Sequence, residues 1–214
     1  MSDLASESEV NPQATPASAE PAARKRPKPG ERRVQILQAL ATMLEQPGAE
    51  RITTSALAAR LDVSEAALYR HFASKAQMFE GLIEFIESTV FGLINQIAER
   101  QADGLTQARD IVGMLLQFAS QNPGMTRVLI GEALVNEDER LQLRMNQFYD
   151  RIDLALKQAL RQSVAEGRAQ ENEVQARAGM LTSFVIGRWH RYAKSGFKNN
   201  PSQDAPLQIA LLLS

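Results

Sequence analysis

The side chains with the most chemical capacity crowd into a single run of sequence. Thr53 and Thr54 come first, then Ser64, Glu65, Ala66 and Ala67, then Tyr69, Arg70 and His71, and finally Lys75. Together they offer hydroxyls, a carboxylate, a guanidinium, an imidazole and an ammonium. Their spacing does not suit covalent catalysis. The chain has no cysteine, and its two histidines, His71 and His190, lie far apart. There is no glycine-rich phosphate loop and no metal-ligand spacing, so neither an enzyme nor a cofactor is expected. The run suits contact with duplex DNA instead. Hydroxyls and cations hold phosphates, which set register, while an exposed helical face meets base edges. Ala66 and Ala67 are small enough for close approach, and an alanine methyl can meet a thymine methyl.

These residues need a scaffold, and the apolar spacing supplies one. From Glu31, Val34, Leu37, Ala41 and Leu44 recur at three- and four-residue steps, which predicts a helix stopped by Pro47-Gly48. Thr53 or Thr54 can cap a second helix over 54–61, with Leu57 and Ala58 facing inward. Leu61-Asp62-Val63 makes a tight turn. Ser64 then caps a short helix over 64–71, with Glu65 at the positive end of its dipole. Two short helices joined by three residues form a helix-turn-helix, whose second member fits the major groove. Its outer face carries Glu65, Ala66, Tyr69 and Arg70.

The charge distribution agrees. Over the whole chain the net charge is −1, yet residues 24–75 hold ten Lys or Arg against five Asp or Glu. A basic segment on a weakly acidic remainder fits a local polyanion contact. Residues 1–30 are rich in Pro, Ala, Ser and Glu and are expected to be a disordered arm, ending in the basic Arg24-Lys25-Arg26. The acidic N-terminus lacks a signal-peptide pattern, and no apolar run is long enough for a membrane span, so a cytoplasmic location is expected.

Beyond Ser74 the pattern predicts further helices over 74–101, 105–121, a short one from Pro123, then 137–166, 171–195 and 207–213. Glu137, Asp138 and Glu139 read as a solvated helix start that complements the dipole. Trp189-His190-Arg191-Tyr192 reads as helix packing or a dimer edge. The expected fold is all-α: a helix-turn-helix head over 31–75 on a helical dimerisation and partner-binding body over 76–214. One head reads only a few base pairs, so a two-fold dimer on a palindromic site is expected. The stripes of 137–166 and 171–195, with Phe148, Ile152, Met180, Phe184 and Arg188, are the candidate seam.

Residues 52–75, ITTSALAARLDVSEAALYRHFASK, resemble the DNA-binding head of the TetR family of bacterial regulators. Leu68-Tyr69-x-His71-Phe72-x-x-Lys75 matches that family's signature at the end of the recognition helix. The resemblance implies that Tyr69, His71 and Lys75 lie along the DNA backbone. Asp62 stands where the turn usually has glycine, and aspartate tolerates left-handed geometry well. Residues 51–87, 122–134 and 139–161 are similar to the nucleoid occlusion branch of the family. That branch binds chromosomal sites and, when DNA-bound, antagonises the division protein FtsZ. The resemblance implies an FtsZ contact near Phe85, Met114, Gln117, Gln121 and Asn122, and a location at the nucleoid. Leu93 and Gln121 stand where that branch would carry arginine, which removes charge-assisted contacts to an acidic tail. The tail beyond about residue 200 is expected to match poorly. The competing expectation is a ligand-responsive repressor of the same family, which needs an internal pocket of about 300–1,000 Å³. The bulky apolar residues of 78–118 argue against that pocket, so no small-molecule ligand is expected.

Overall fold

The computed structural model describes residues 30–46 and 52–214. The expected stop at Pro47-Gly48 and the basic arm at Arg24, Lys25 and Arg26 lie outside the described residues. Every regular element among the described residues is helical: α1 (Glu31–Leu44), α2 (Thr54–Arg60), α3 (Glu65–Tyr69), α4 (Lys75–Arg100), α5 (Gly104–Gln121), α6 (Pro123–Leu129), α7 (Glu139–Ala165), α8 (Glu171–Lys194) and α9 (Ala205–Leu213). A 3-10 turn, Glu132–Leu134, links α6 to α7.

The periodicity explains the packing. Ile36, Leu40 and Leu44 of α1 share a core with Leu57, Leu68 and Phe72 and with Met78 and Phe79 of α4. That core continues without a break into α5, α7 and α8. Local capping chemistry sets the helix starts. Ser74 accepts a hydrogen bond from the Gln77 amide at 3.1 Å, and the Gln77 side chain accepts one from the Ala73 amide at 2.9 Å. This serine-to-glutamine spacing is a variant of the capping box. Asp103 caps α5 by accepting from the Thr106 amide at 2.7 Å. Asp138 caps α7 by accepting from the Arg140 amide at 3.0 Å.

Two helix crossings depend on glycine. Gly104 packs against the backbone of α7 at Ala159 and Ser163. Gly124 packs against the Ala41 carbonyl, bringing α6 hard against α1. A side chain at either position would overlap main chain, so the Gly104 contact sets how α5 crosses α7 and the Gly124 contact how α6 crosses α1.

The dimer-seam expectation is corrected in part. Phe148 and Ile152 are 0% and 1% exposed within the single chain, so they cannot form a seam. Phe148 packs edge-on against Phe91 at 5.2 Å. The face of α7 that carries them packs inward against the rest of the chain. Met180, at 50% exposed, and the half-buried Phe184 remain available on α8, with Leu154 of α7 also at 50%. Arg188 is bound within the chain: its guanidinium donates to the Pro201 carbonyl at 2.9 Å and to the Gln208 side chain at 3.2 Å. Trp189 and Tyr192 are packing residues, donating to the Leu115 and Ser120 carbonyls at 3.1 and 3.2 Å.

Candidate nucleic-acid interface

The turn between α2 and α3 forms as the sequence implies. Asp62 takes a left-handed conformation with φ of 53°. Ser64 caps α3, accepting from the Ala67 amide at 3.2 Å, and Thr53 caps α2, accepting from the Ala56 amide at 3.1 Å. Leu57, Ala58 and Leu68 are buried. Their burial turns Glu65, Ala66, Tyr69 and Arg70 outward, and all four are exposed, with Ala67 half-buried beside them. The helix is shorter than the expected span of 64–71. It ends at Tyr69, and beyond that point the Leu68 carbonyl accepts from both the His71 amide at 2.9 Å and the Phe72 amide at 3.1 Å.

The polar side chains on this face brace one another. Thr54 donates its hydroxyl to the Glu65 carboxylate at 2.7 Å, and the Tyr69 hydroxyl reaches Thr54 at a long 3.5 Å. These contacts tie the start of α2 to α3 across the turn and hold the two helices as one unit. His71 is exposed, and its carbonyl accepts from the Arg33 guanidinium at 2.9 Å. Arg33 also stacks over Phe72, 4.1 Å from the ring centroid. Sequence reading missed this role for Arg33, because the pair is separated by 38 residues and carries no local signal.

Lys75 departs from expectation. Its ammonium does not point into solvent beside α3. It pairs with Glu137, and it lies 5.8 Å from the Phe79 ring centroid. Glu137, read from sequence as part of a solvated helix start, is 11% exposed at its side chain. Its neighbour Asp138 does behave as a helix cap.

The residues expected near a protein partner divide between two places. Met114, Gln117 and Gln121 line an open groove of about 650 Å³ between α5 and the segment from Asn200 to Ile209. Phe85 stands out from α4, 49% exposed, and does not line that groove. Asn122 is committed locally, donating to the Phe118 carbonyl at 2.7 Å. Among the described residues there is no group of three or more His, Cys, Asp or Glu able to hold a metal ion. No described helix is long and apolar enough to cross a membrane.

Residues 36–82 match the family described as bacterial regulatory proteins, tetR family. Residues 102–214 match the SlmA-like family described as tetracyclin repressor-like, C-terminal domain. That second match runs to the last residue, so the tail beyond residue 200, expected to match poorly, belongs to it. The chain is 48% identical over 188 residues to the nucleoid occlusion factor SlmA of Aliivibrio fischeri strain MJ11, covering 87% of this chain and 96% of the relative. It is 47% identical over 186 residues to the protein of that name in Marinomonas sp., covering 86% and 94%. In overall shape it is similar to a TetR transcription regulator from Haloarcula marismortui, with a TM-score of 0.73 and 16% identity over 86% of this chain and 96% of that one. It is also similar to the fatty acid degradation regulator FadR from Bacillus halodurans, with a TM-score of 0.72 and 17% identity over 88% and 97%. At those identities the likeness speaks for the fold alone.

Proposed function

This chain belongs to the SlmA-like branch of the TetR family, and from that membership we propose that it is a nucleoid occlusion factor, a DNA-binding regulator and not an enzyme. As a two-fold dimer it holds a palindromic duplex site and, while bound there, restrains assembly of FtsZ. The observation that carries the reading is 48% identity sustained over 87% of the chain with a nucleoid occlusion factor. The exposed face of Glu65, Ala66, Tyr69 and Arg70 supports the DNA part. In this reading Ala66, Ala67 and Arg70 meet base edges, while Thr53, Thr54, Ser64, Tyr69, His71 and Lys75 hold phosphates. Glu65 orients Thr54.

The partner face is proposed on the outer sides of α4 and α5, with Phe85 as the apolar anchor and Met114, Gln117 and Gln121 beside the groove. The proposed seam uses Met180 and Phe184 of α8 with Leu154 of α7. The ligand-responsive alternative is disfavoured by the filling of the body. Leu115, Leu116, Met145, Phe148 and Trp189 are each 0% exposed, and the groove beside α5, though of ligand size, is open to solvent rather than internal.

The test is a pelleting assay with FtsZ polymers, the full chain, and either a duplex that the chain selects from a random library or its scrambled counterpart. Loss of polymer with the selected duplex alone is the expected result. Equal polymer with both duplexes would reject the reading.

A further inference from the structure

Side chains on an α-helix lean by default toward its N-terminus. Lys75 is the first residue of α4, so that default would aim its ammonium past the helix start, toward α3 and the DNA face. The ammonium is held by Glu137, from a segment 62 residues further along the chain, and lies 5.8 Å from the centroid of the Phe79 ring. The Lys75 side chain is 30% exposed and that of Glu137 only 11%. A carboxylate so far removed from water is costly to leave without a cation. Glu137 lies between the 3-10 turn and α7, its amide donating to the Leu134 carbonyl at 3.1 Å.

We propose that Glu137 is an affinity-determining positioning residue for DNA binding, acting through Lys75. In the free chain it draws the ammonium back against the body, and a duplex phosphate must take the ammonium from it. This rests on the reading of Lys75 as a phosphate contact. Each binding event therefore strips a nearly buried carboxylate of its cation at the start of α7. By reciprocity, whatever steadies Glu137 without Lys75 favours the DNA-bound form, and whatever strengthens the pair disfavours it. The corner between α6 and α7 thus reports whether the DNA face is occupied, with no contact of its own to the duplex.

The experiment is a double-mutant cycle on the full chain, read by fluorescence anisotropy against the library-selected duplex and its scrambled counterpart over a range of salt. Glu137→Gln keeps the shape and removes the charge. It is expected to bind both duplexes about three- to tenfold more tightly. The salt slope should stay as in the parent, because the same phosphate is reached in both. Glu137→Asp, whose carboxylate stands one methylene further back, should fall between Glu137→Gln and the parent. It also serves should Glu137→Gln fail to fold. In a Lys75→Ala background, Glu137→Gln should change nothing. Lys75→Ala alone should weaken binding and lower the slope by about 1.8 per bound dimer, about 0.9 for each of its two lysines. A gain that survives in the Lys75→Ala background overturns the proposal, and so does parent-like affinity in Glu137→Gln. If Lys75→Ala itself leaves affinity and slope unchanged, the phosphate reading of Lys75 has failed, and the proposal falls with it.

Discussion

Gly124→Ala should loosen the recognition helices from the body they rest on. A Cβ at this position would overlap the Ala41 carbonyl oxygen, lie 2.9 Å from the Ala41 carbonyl carbon and 3.2 Å from the Cγ of Glu45. The Glu45 side chain can swing aside. The Ala41 carbonyl cannot, because it belongs to the backbone of α1. Relief requires α1 and α6 to separate, which also strains the buried contacts of Leu40 and Leu44. Overpacking against rigid neighbours costs up to about 3 kcal/mol, and the gain from replacing a helical glycine offsets about 1 kcal/mol. The net loss is about 2 kcal/mol, or a fall in Tm of roughly 4–8 °C for a chain of this size. Gly92→Ala on α4 is the control, since no atom lies within 4 Å of its Cβ. It should raise Tm slightly, by the propensity gain alone. Thermal melts followed by circular dichroism decide the matter. A Gly124→Ala melt at or above that of the parent would refute the close-approach argument.

Phe184→Glu should convert the dimer to monomers in sedimentation equilibrium and weaken duplex binding with it, since one head contacts only half a palindrome. Substituting Ala66 by serine should change the preferred duplex without altering the salt slope, as base contacts differ from phosphate contacts. Tyr149 donates its hydroxyl to the Leu129 carbonyl, and burial pushes its ionisation up to about 12. The folded state thus favours the neutral phenol, so its contribution is whole below pH 10 and drains away as pH rises toward 12. Tyr149→Phe should flatten that alkaline loss of stability in denaturant titrations. At the other extreme, the Asp103 carboxylate accepts from Arg168 and from the Thr106 amide, which hold its ionisation down to about 2. Its contribution is present above about pH 4 and lost as pH falls toward 2, so Asp103→Asn should remove that acid dependence.

Much of this was legible in the sequence because it is local. Thr53, Ser64 and Ser74 announce their helices by capping chemistry, and Asp62 marks its turn by tolerating a left-handed backbone. The inward set of Leu57, Ala58 and Leu68 fixes the outward set by helical geometry alone. Non-local pairings were not legible. The stripe holding Phe148 and Ile152 shows that α7 buries a face, but periodicity does not say whether the covering surface is the same chain or a second copy. Lys75 illustrates the same limit. Its type and spacing suggest a phosphate contact, and nothing near it in sequence hints that Glu137 occupies the ammonium. The early end of α3 is a main-chain matter, with the His71 and Phe72 amides sharing the Leu68 carbonyl, and side-chain pattern does not encode it. The groove beside Met114 and Gln117 exists because α9 folds back along α5, another long-range event.

Amide hydrogen exchange on the full chain, with and without its selected duplex, tests the DNA-facing surface most directly. Bound duplex should slow exchange at residues 53–56 and 64–72 and leave the outer face of α8 as it was. Protection confined to α7 and α8, with the segment from Ser64 to Phe72 exchanging as freely as before, would contradict the account.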